Sequence, residues 1–269
     1  MNKISDKIRV LWAYALKDLR GAFRFKISLF NTILAPILTA ASFLVTYAAI
    51  FFGAKTEDLG FVQKSNYVIY ILTGFLVYSI FRLAWGRTSL LTEKVMQTLD
   101  GMLLAPRNRL YIMFGKAVQS FAEIFITVIF FAIAIIFLQP QIKLYNLVIG
   151  ILALIFLFII FLSLDFIVSA IGLAEEGIEG FITTYAPRAF LLIGCVYYPV
   201  DVIPAFARPF VYLNPLYHAV NLFRSAFMTA DLRFGFYPLI FLALLAFVLP
   251  ILAAFLFDFV LRRWGVRGY

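Results

Sequence analysis

Apolar positions along the chain come in long, nearly unbroken stretches separated by short polar ones. A membrane-spanning helix needs about 20 predominantly apolar residues, and six stretches meet that requirement: Ile27 to Gly53, Tyr67 to Trp85, Ala117 to Leu138, Leu144 to Leu173, Gly180 to Tyr198 and Phe236 to Leu261. The pattern predicts an all-α membrane protein with six transmembrane helices. Ahead of the first stretch, Ile4, Ile8, Leu11, Trp12, Ala15, Leu19 and Phe23 recur at helical spacing and form a stripe of about 120°, while Lys3, Lys7, Arg9, Lys17, Arg20 and Arg24 lie off it. Residues 1–26 therefore read as an amphipathic helix lying in the membrane interface, with its basic side chains toward anionic headgroups.

Two segments break the alternation of span and short loop. Between the second and third stretches, Val95, Met96, Leu99, Met102 and Leu103 mark one face of a helix, surrounded by Thr92, Glu93, Lys94, Gln97, Thr98 and Asp100. Thr92 suits the N-cap, and Pro106 ends the helix because a residue before proline disfavours the α region. A helix over 92–106 is too short to cross a bilayer at 1.5 Å per residue. A regular element where a bare connector would do suggests a docking surface. The second departure is 199–235, where Pro199, Pro204, Pro209 and Pro215 divide apolar pieces too short to cross, such as Ala205 to Leu213 and Leu216 to Met228. Such pieces fit re-entrant or interfacial helices. Asn214-Pro215 is a strong helix start, since asparagine caps free N–H groups and proline suits the first helical position. The alternative is an external loop carrying one surface helix.

Composition agrees with the pattern: 64% of the 269 residues are hydrophobic and only 14% charged, with a mean hydropathy of +0.98. No short apolar stretch with a small-residue cleavage site opens the chain, so the first span is expected to direct its own insertion. Of 23 basic residues, seven lie before the first span, six around the segment between spans two and three, and three after the last. The positive-inside rule places all three regions, and both termini, in the cytoplasm of a multi-pass cell-membrane protein. The net charge of +9 follows this topology and forms no separate basic domain, which excludes nucleic-acid binding. One Cys and one His exclude an intrachain disulfide and an ordinary zinc site.

Ionisable residues inside spans mark functional candidates by default. Glu123, Asp165 and Asp258 lie near enough to their cytoplasmic ends to be satisfied by snorkelling or by pairing with Arg82, Arg87 or Lys116. Arg188 is deeper, and Pro187 beside it frees a carbonyl one turn earlier, so Arg188 is a candidate for lining a pathway. Glu175, Glu176 and Glu179 cluster in the short loop between spans four and five, either solvated or in contact with a basic partner surface. Tyr217, Asn221 and Arg224 form a polar stripe on the 215–228 helix, facing a pathway or facing external water. His218 reads as a local hydrogen-bonder. No GxxxxGKS or GxxxxGKT phosphate loop occurs, nor a GxSxG elbow, and the chain is not expected to be an enzyme.

The arrangement resembles the type-2 permease family of ABC exporters over nearly the whole chain. The run from Glu93 through Thr98, Leu99, Asp100, Leu103 and Leu104 to Pro106 resembles the family's connection between spans two and three. "NPLYHAVNLFRSAF", Asn214 to Phe227, is similar to its Asn-Pro-Leu element with a following Arg, and "LKDLR", Leu16 to Arg20, fits its N-terminal helix. The resemblance implies that 92–106 is a coupling helix docking on a separate cytoplasmic ATPase subunit through Glu93, Thr98, Leu99, Asp100 and Leu103, with Glu175 and Glu176 as a second contact. It implies ATP and Mg on that partner and no cofactor in this chain. It further implies a homodimer with the path between its two halves, gated outside by the short helices of 199–235, with Arg188, Tyr217, Asn221 and Arg224 as pathway candidates. The cargo implied is a lipid, a drug or a lipid-linked oligo- or polysaccharide. An ATP-independent secondary transporter or channel is the competing reading. Such proteins often show matching interrupted helices in both halves, and here only one segment is broken.

Overall fold

The computed structural model describes residues 3–24, 26–53, 58–59, 62–86, 110–138, 140–228 and 236–264, which are almost wholly helical. The chain begins with α1 (Lys3–Arg24) and α2 (Lys26–Ala48), the latter continued by a π-helical turn at Ala49–Gly53. A small antiparallel pair, β1 (Asp58–Leu59) and β2 (Val62–Gln63), sets Asp58 opposite Gln63 and leads into α3 (Tyr67–Ala84). Then come α4 (Leu110–Phe137), α5 (Leu144–Ala174) and α6 (Glu176–Ile193). Two 3-10 turns precede the short helices α7 (Arg208–Tyr212) and α8 (Pro215–Arg224), and α9 (Tyr237–Trp264) closes the bundle.

Five helical stretches are long and apolar enough to cross a membrane: Leu34–Gly53, Tyr67–Ala84, Ala117–Phe137, Leu144–Gly172 and Tyr237–Val260. They coincide with five of the six expected spans. The remaining one, expected over Gly180 to Tyr198, is a shorter and more charged helix: α6 stops at Ile193 and contains Glu176, Glu179 and Arg188. Its 18 residues at 1.5 Å each reach about 27 Å, close to the thickness of a hydrocarbon core.

Helix α3 is the hub, packed against α2, α4, α5 and α8 and buried over most of its length. Lipid is as apolar as leucine, so helices in a bilayer associate through packing rather than hydrophobic expulsion. Here the packing is aromatic. Phe81 meets Phe161 edge-on at 4.4 Å, Phe161 meets Phe190 at 5.0 Å, and Trp85 closes the cluster on Phe81 at 5.9 Å. Each such pair is worth about 0.5–1.5 kcal/mol beyond its buried area, and together they join α3, α5 and α6. Phe166 against Phe257 at 4.4 Å holds α9 on α5.

Outward faces are apolar instead. Phe121, Phe125 and Ile136 of α4 and Phe247, Ile251 and Phe255 of α9 are exposed, Phe247 by 74%, a surface no water-soluble domain would show. Hydroxyls within the bundle follow the same logic of a medium without water. Thr73, Ser79, Thr127 and Ser163 each donate to the carbonyl four residues earlier, at 2.7 to 3.0 Å. Helix α1 forms as its stripe predicts and packs on α4 and α2. Ala15 of the stripe is buried, whereas Trp12 stays 58% exposed and Arg9, Lys17 and Arg20 face outward.

Candidate functional site

The side chains that carry chemistry gather at the two ends of the bundle. One end holds α8, the start of α5 and the turn after α6. Asn214 caps α8 as its sequence implies: its Oδ1 accepts from the Leu216 N–H at 3.0 Å, and its Nδ2 donates to the Phe190 carbonyl at 3.3 Å. Pro215 then occupies the first helical position. The far end of α8 is pinned to α5 by Asn146 Nδ2 donating to Ser225 O at 3.0 Å and by Lys143 N–H donating to Ala226 O at 2.9 Å.

Arg224 corrects the expected polar stripe. It faces no open surface: the residue is 1% exposed, and the two terminal nitrogens of its guanidinium are occupied inside the fold. Nη1 donates to Cys195 O at 2.9 Å, Nη2 donates to Val196 O and to Tyr70 O, and the plane lies 3.6 Å from the Tyr70 ring centroid. No carboxylate joins this set, so a delocalised cation is held by carbonyl dipoles and an aromatic face. Two features of the chain make the clamp possible. Gly74 lies where a Cβ would run into Val196 O and Arg224 Nη2, and Cys195 adopts a left-handed φ of 49° that turns consecutive carbonyls toward the arginine. Tyr47 donates to Tyr197 O at 2.5 Å and fastens the same turn to α2. Nothing in the sequence announces backbone acceptors. A glycine in mid-span was the one trace of so close an approach.

Tyr217 and Asn221 are half-buried on α8, within reach of each other. Burial holds the His218 imidazole below its ordinary pKa. The neutral ring therefore donates through Nε2 to Tyr212 O at 2.7 Å, the local role its isolation suggested.

At the opposite end, α3 breaks at Gly86 with a left-handed φ of 81°. The Gly86 N–H donates to Asp165 Oδ1 at 2.7 Å, and Asp165 is 2% exposed. A buried carboxylate thus serves as an anchor for the last described residue before the 87–109 segment. Glu123 is likewise engaged, accepting from Gln119 at 3.1 Å. The docking helix expected over 92–106, with Glu93, Thr98, Leu99, Asp100 and Leu103, lies outside the described residues. Of the acidic loop, Glu175 is exposed at the break between α5 and α6, and Glu179 is folded against Gly172. The Glu176 side chain lies outside the description. Arg188 lines no passage within a single copy: it projects from the exposed face of α6, its guanidinium 5.8 Å from the Tyr185 ring centroid.

Two cavities flank α3. A wholly apolar one of about 520 Å³ lies between α3, α4, α5 and α8, and a mixed one of about 480 Å³ lies between α2, α3 and α6 at the Gly86 end.

Residues 10–228 match the family model described as ABC-2 type transporter. The chain belongs to the ABC-2 type transporter family. Among curated proteins the comparison finds no match. The family covers α1 from Val10, all the helices from α2 to α8, and the residues through Met228, so both bundle ends described above fall within it. As an ABC-2 protein the chain is a multi-pass transmembrane permease component of an ABC transporter, and it is not itself the catalytic part. Such permeases typically work with an ATPase partner.

Proposed function

We propose that this chain is the membrane subunit of an ATP-driven exporter that moves an amphipathic or hydrophobic substrate outward: a lipid-linked oligo- or polysaccharide, a lipid or a drug. Two copies, six spans each with α6 as the fifth, enclose the path between them in the cell membrane with both termini cytoplasmic. ATP and Mg bind a separate cytoplasmic subunit, which docks on the 92–106 helix through Glu93, Thr98, Leu99, Asp100 and Leu103 and touches Glu175 and Glu176. Tyr217 and Asn221 lie beside the external gate formed by the short helices of 199–235.

The observation that carries this reading is the family match over residues 10–228. Two structural features support it. Asp165 grips Gly86 where the docking segment departs, so force applied to that segment reaches α5 through a buried charge-assisted hydrogen bond, the stronger kind. Arg188 sits on an otherwise apolar exposed face of α6 with Phe181 and Leu192. A cation facing hydrocarbon costs about 2.5–3.5 kcal/mol on insertion scales, a cost relieved where that face meets a second copy across a hydrated path.

The test is co-purification of the permease with its ATPase, comparing wild type with Glu93→Ala and Leu99→Arg. Leu99→Arg places a cation in the middle of the docking face and should release the ATPase while the permease stays folded. Full retention of the complex with unchanged ATPase rate in Leu99→Arg would remove the docking assignment.

A further inference from the structure

Between α2, α3 and α6, at the Gly86 end, lies the mixed cavity of about 480 Å³. Among the described residues its lining includes the polar side chains of Asn31, Tyr78, Arg82 and Trp85, and no carboxylate. The three hydroxyls that also reach it are spent. Thr39 donates to Ala35 O at 2.8 Å, Ser79 to Phe75 O and Thr183 to Glu179 O, both at 2.7 Å. Hydroxyls committed in this way turn their lone pairs, not their protons, to a guest. Beside the Asn31 amide and the Tyr78 hydroxyl, two further donors are of a different kind. Arg82 carries a full positive charge one turn before the break at Gly86 and is exposed. Trp85 is buried to 5% exposure, yet its indole Nε1–H has no hydrogen-bond partner among the described residues. An indole N–H is a donor only, and leaving one unpaired in a buried site is costly. The buried Asp165 accepts from the Gly86 N–H at the end of α3, and Glu179 is buried against Gly172; neither lines the cavity.

A cavity offering a guanidinium and an orphaned N–H, with no acid among the described residues of its lining, selects an acceptor-rich anion. The remaining walls are apolar, from Phe75, Leu83 and Leu191, and select alkyl chain. We propose that this cavity binds the phosphate-type headgroup of an anionic amphiphile, with Arg82 forking its oxygens, Trp85 Nε1–H donating to one of them and the alkyl part lying along α2 and α6. Arginine suits phosphate through its planar pair of donors. The assignment rests on the reading of the chain as a carrier of amphiphiles and narrows its substrate to anionic ones.

The experiment uses the purified full-length chain in detergent and a short-chain phosphatidic acid as probe, followed by indole fluorescence, with short-chain phosphatidylcholine and inorganic phosphate as comparison ligands. Wild type should bind the phosphatidic acid at least about tenfold more tightly than the phosphatidylcholine, the discrimination one charged hydrogen-bonded contact supplies. Arg82→Gln should lose about tenfold in affinity for the phosphatidic acid, and Arg82→Lys should recover part of it. Trp85→Phe keeps the ring packing and removes only the N–H, so a further loss in that variant, read by calorimetry, separates ligand contact from folding. Equal binding of the two lipids, or wild-type affinity in Arg82→Gln, would overturn the site. Inorganic phosphate binding as tightly as the lipid would overturn the amphiphile and leave a free anion as ligand. Binding requires neither ATP nor the partner, so it can fail while ATP-driven transport stands, and persist if transport proves ATP-independent.

Discussion

Replacing Arg224 with methionine keeps the unbranched apolar stem of the side chain and removes the cation that three carbonyls share. Tyr70 O belongs to a helix and keeps its partner there. Cys195 O and Val196 O lie in a turn and lose their donor, at about 1–3 kcal/mol for each orphaned buried acceptor. The two together come to about 2–6 kcal/mol, and the relief of no longer burying a charge offsets part of that, which leaves a net destabilisation of about 2 kcal/mol. Cys195 is the sole cysteine of the chain, and it is buried within the clamped turn. Its reaction with a maleimide therefore reports opening of that turn directly. A loss of about 2 kcal/mol raises the open population by about 30-fold, and Arg224→Met should label faster by that factor. Gly74→Ala tests the same clamp from the other side, because its methyl meets Val196 O and Arg224 Nη2. It should raise the labelling rate with Arg224 intact. Equal labelling rates in wild type and both variants would refute the clamp.

Other outcomes follow from the same geometry. Asp165→Ala orphans the Gly86 N–H and should slow coupled ATP hydrolysis without releasing the partner subunit, as read by comparing ATPase rate with complex retention. Asn214→Ala removes the α8 cap at a cost of about 1 kcal/mol, seen as roughly fivefold faster hydrogen exchange at the Leu216 amide. His218 has a folded pKa depressed by burial, so below its ordinary value near about 6.5 the unfolded chain binds the extra proton first. Its contribution to stability is complete above that pH and falls as the pH drops toward the folded pKa. His218→Gln should flatten this limb, and superimposable melting-temperature curves for the two proteins between pH 7 and pH 5 would contradict it.

Elements set by composition were legible in the chain. Long apolar runs match five candidate spans, four of them nearly to their ends and the first from Leu34 rather than Ile27, a helix forms over the stripe from Ile4 to Phe23, and Asn214-Pro215 starts α8, each a local pattern with a local cause. The ending of α6 was not, since Gly194 to Tyr198 continues an apolar run and only the tertiary clamp on its carbonyls turns the chain there. Arg224 misled for a related reason. Its helical spacing with Tyr217 and Asn221 implied a shared polar surface, but a guanidinium is long enough to reach inward to backbone acceptors that no residue name encodes. Arg188 was visible as an outlier, yet whether a span's charge points into its own bundle or away from it depends on which neighbours cover each face.

As proposed, transport by this chain requires ATP hydrolysed on a separate subunit. The most direct test of that requirement is reconstitution of the permease in vesicles, with and without its ATPase, following a fluorescent anionic lipid from one leaflet to the other. Transfer should occur only when the ATPase, ATP and Mg are all present, and should be lost with Leu99→Arg. Transfer at the same rate by the permease alone without ATP would contradict the requirement and leave a secondary transporter in its place.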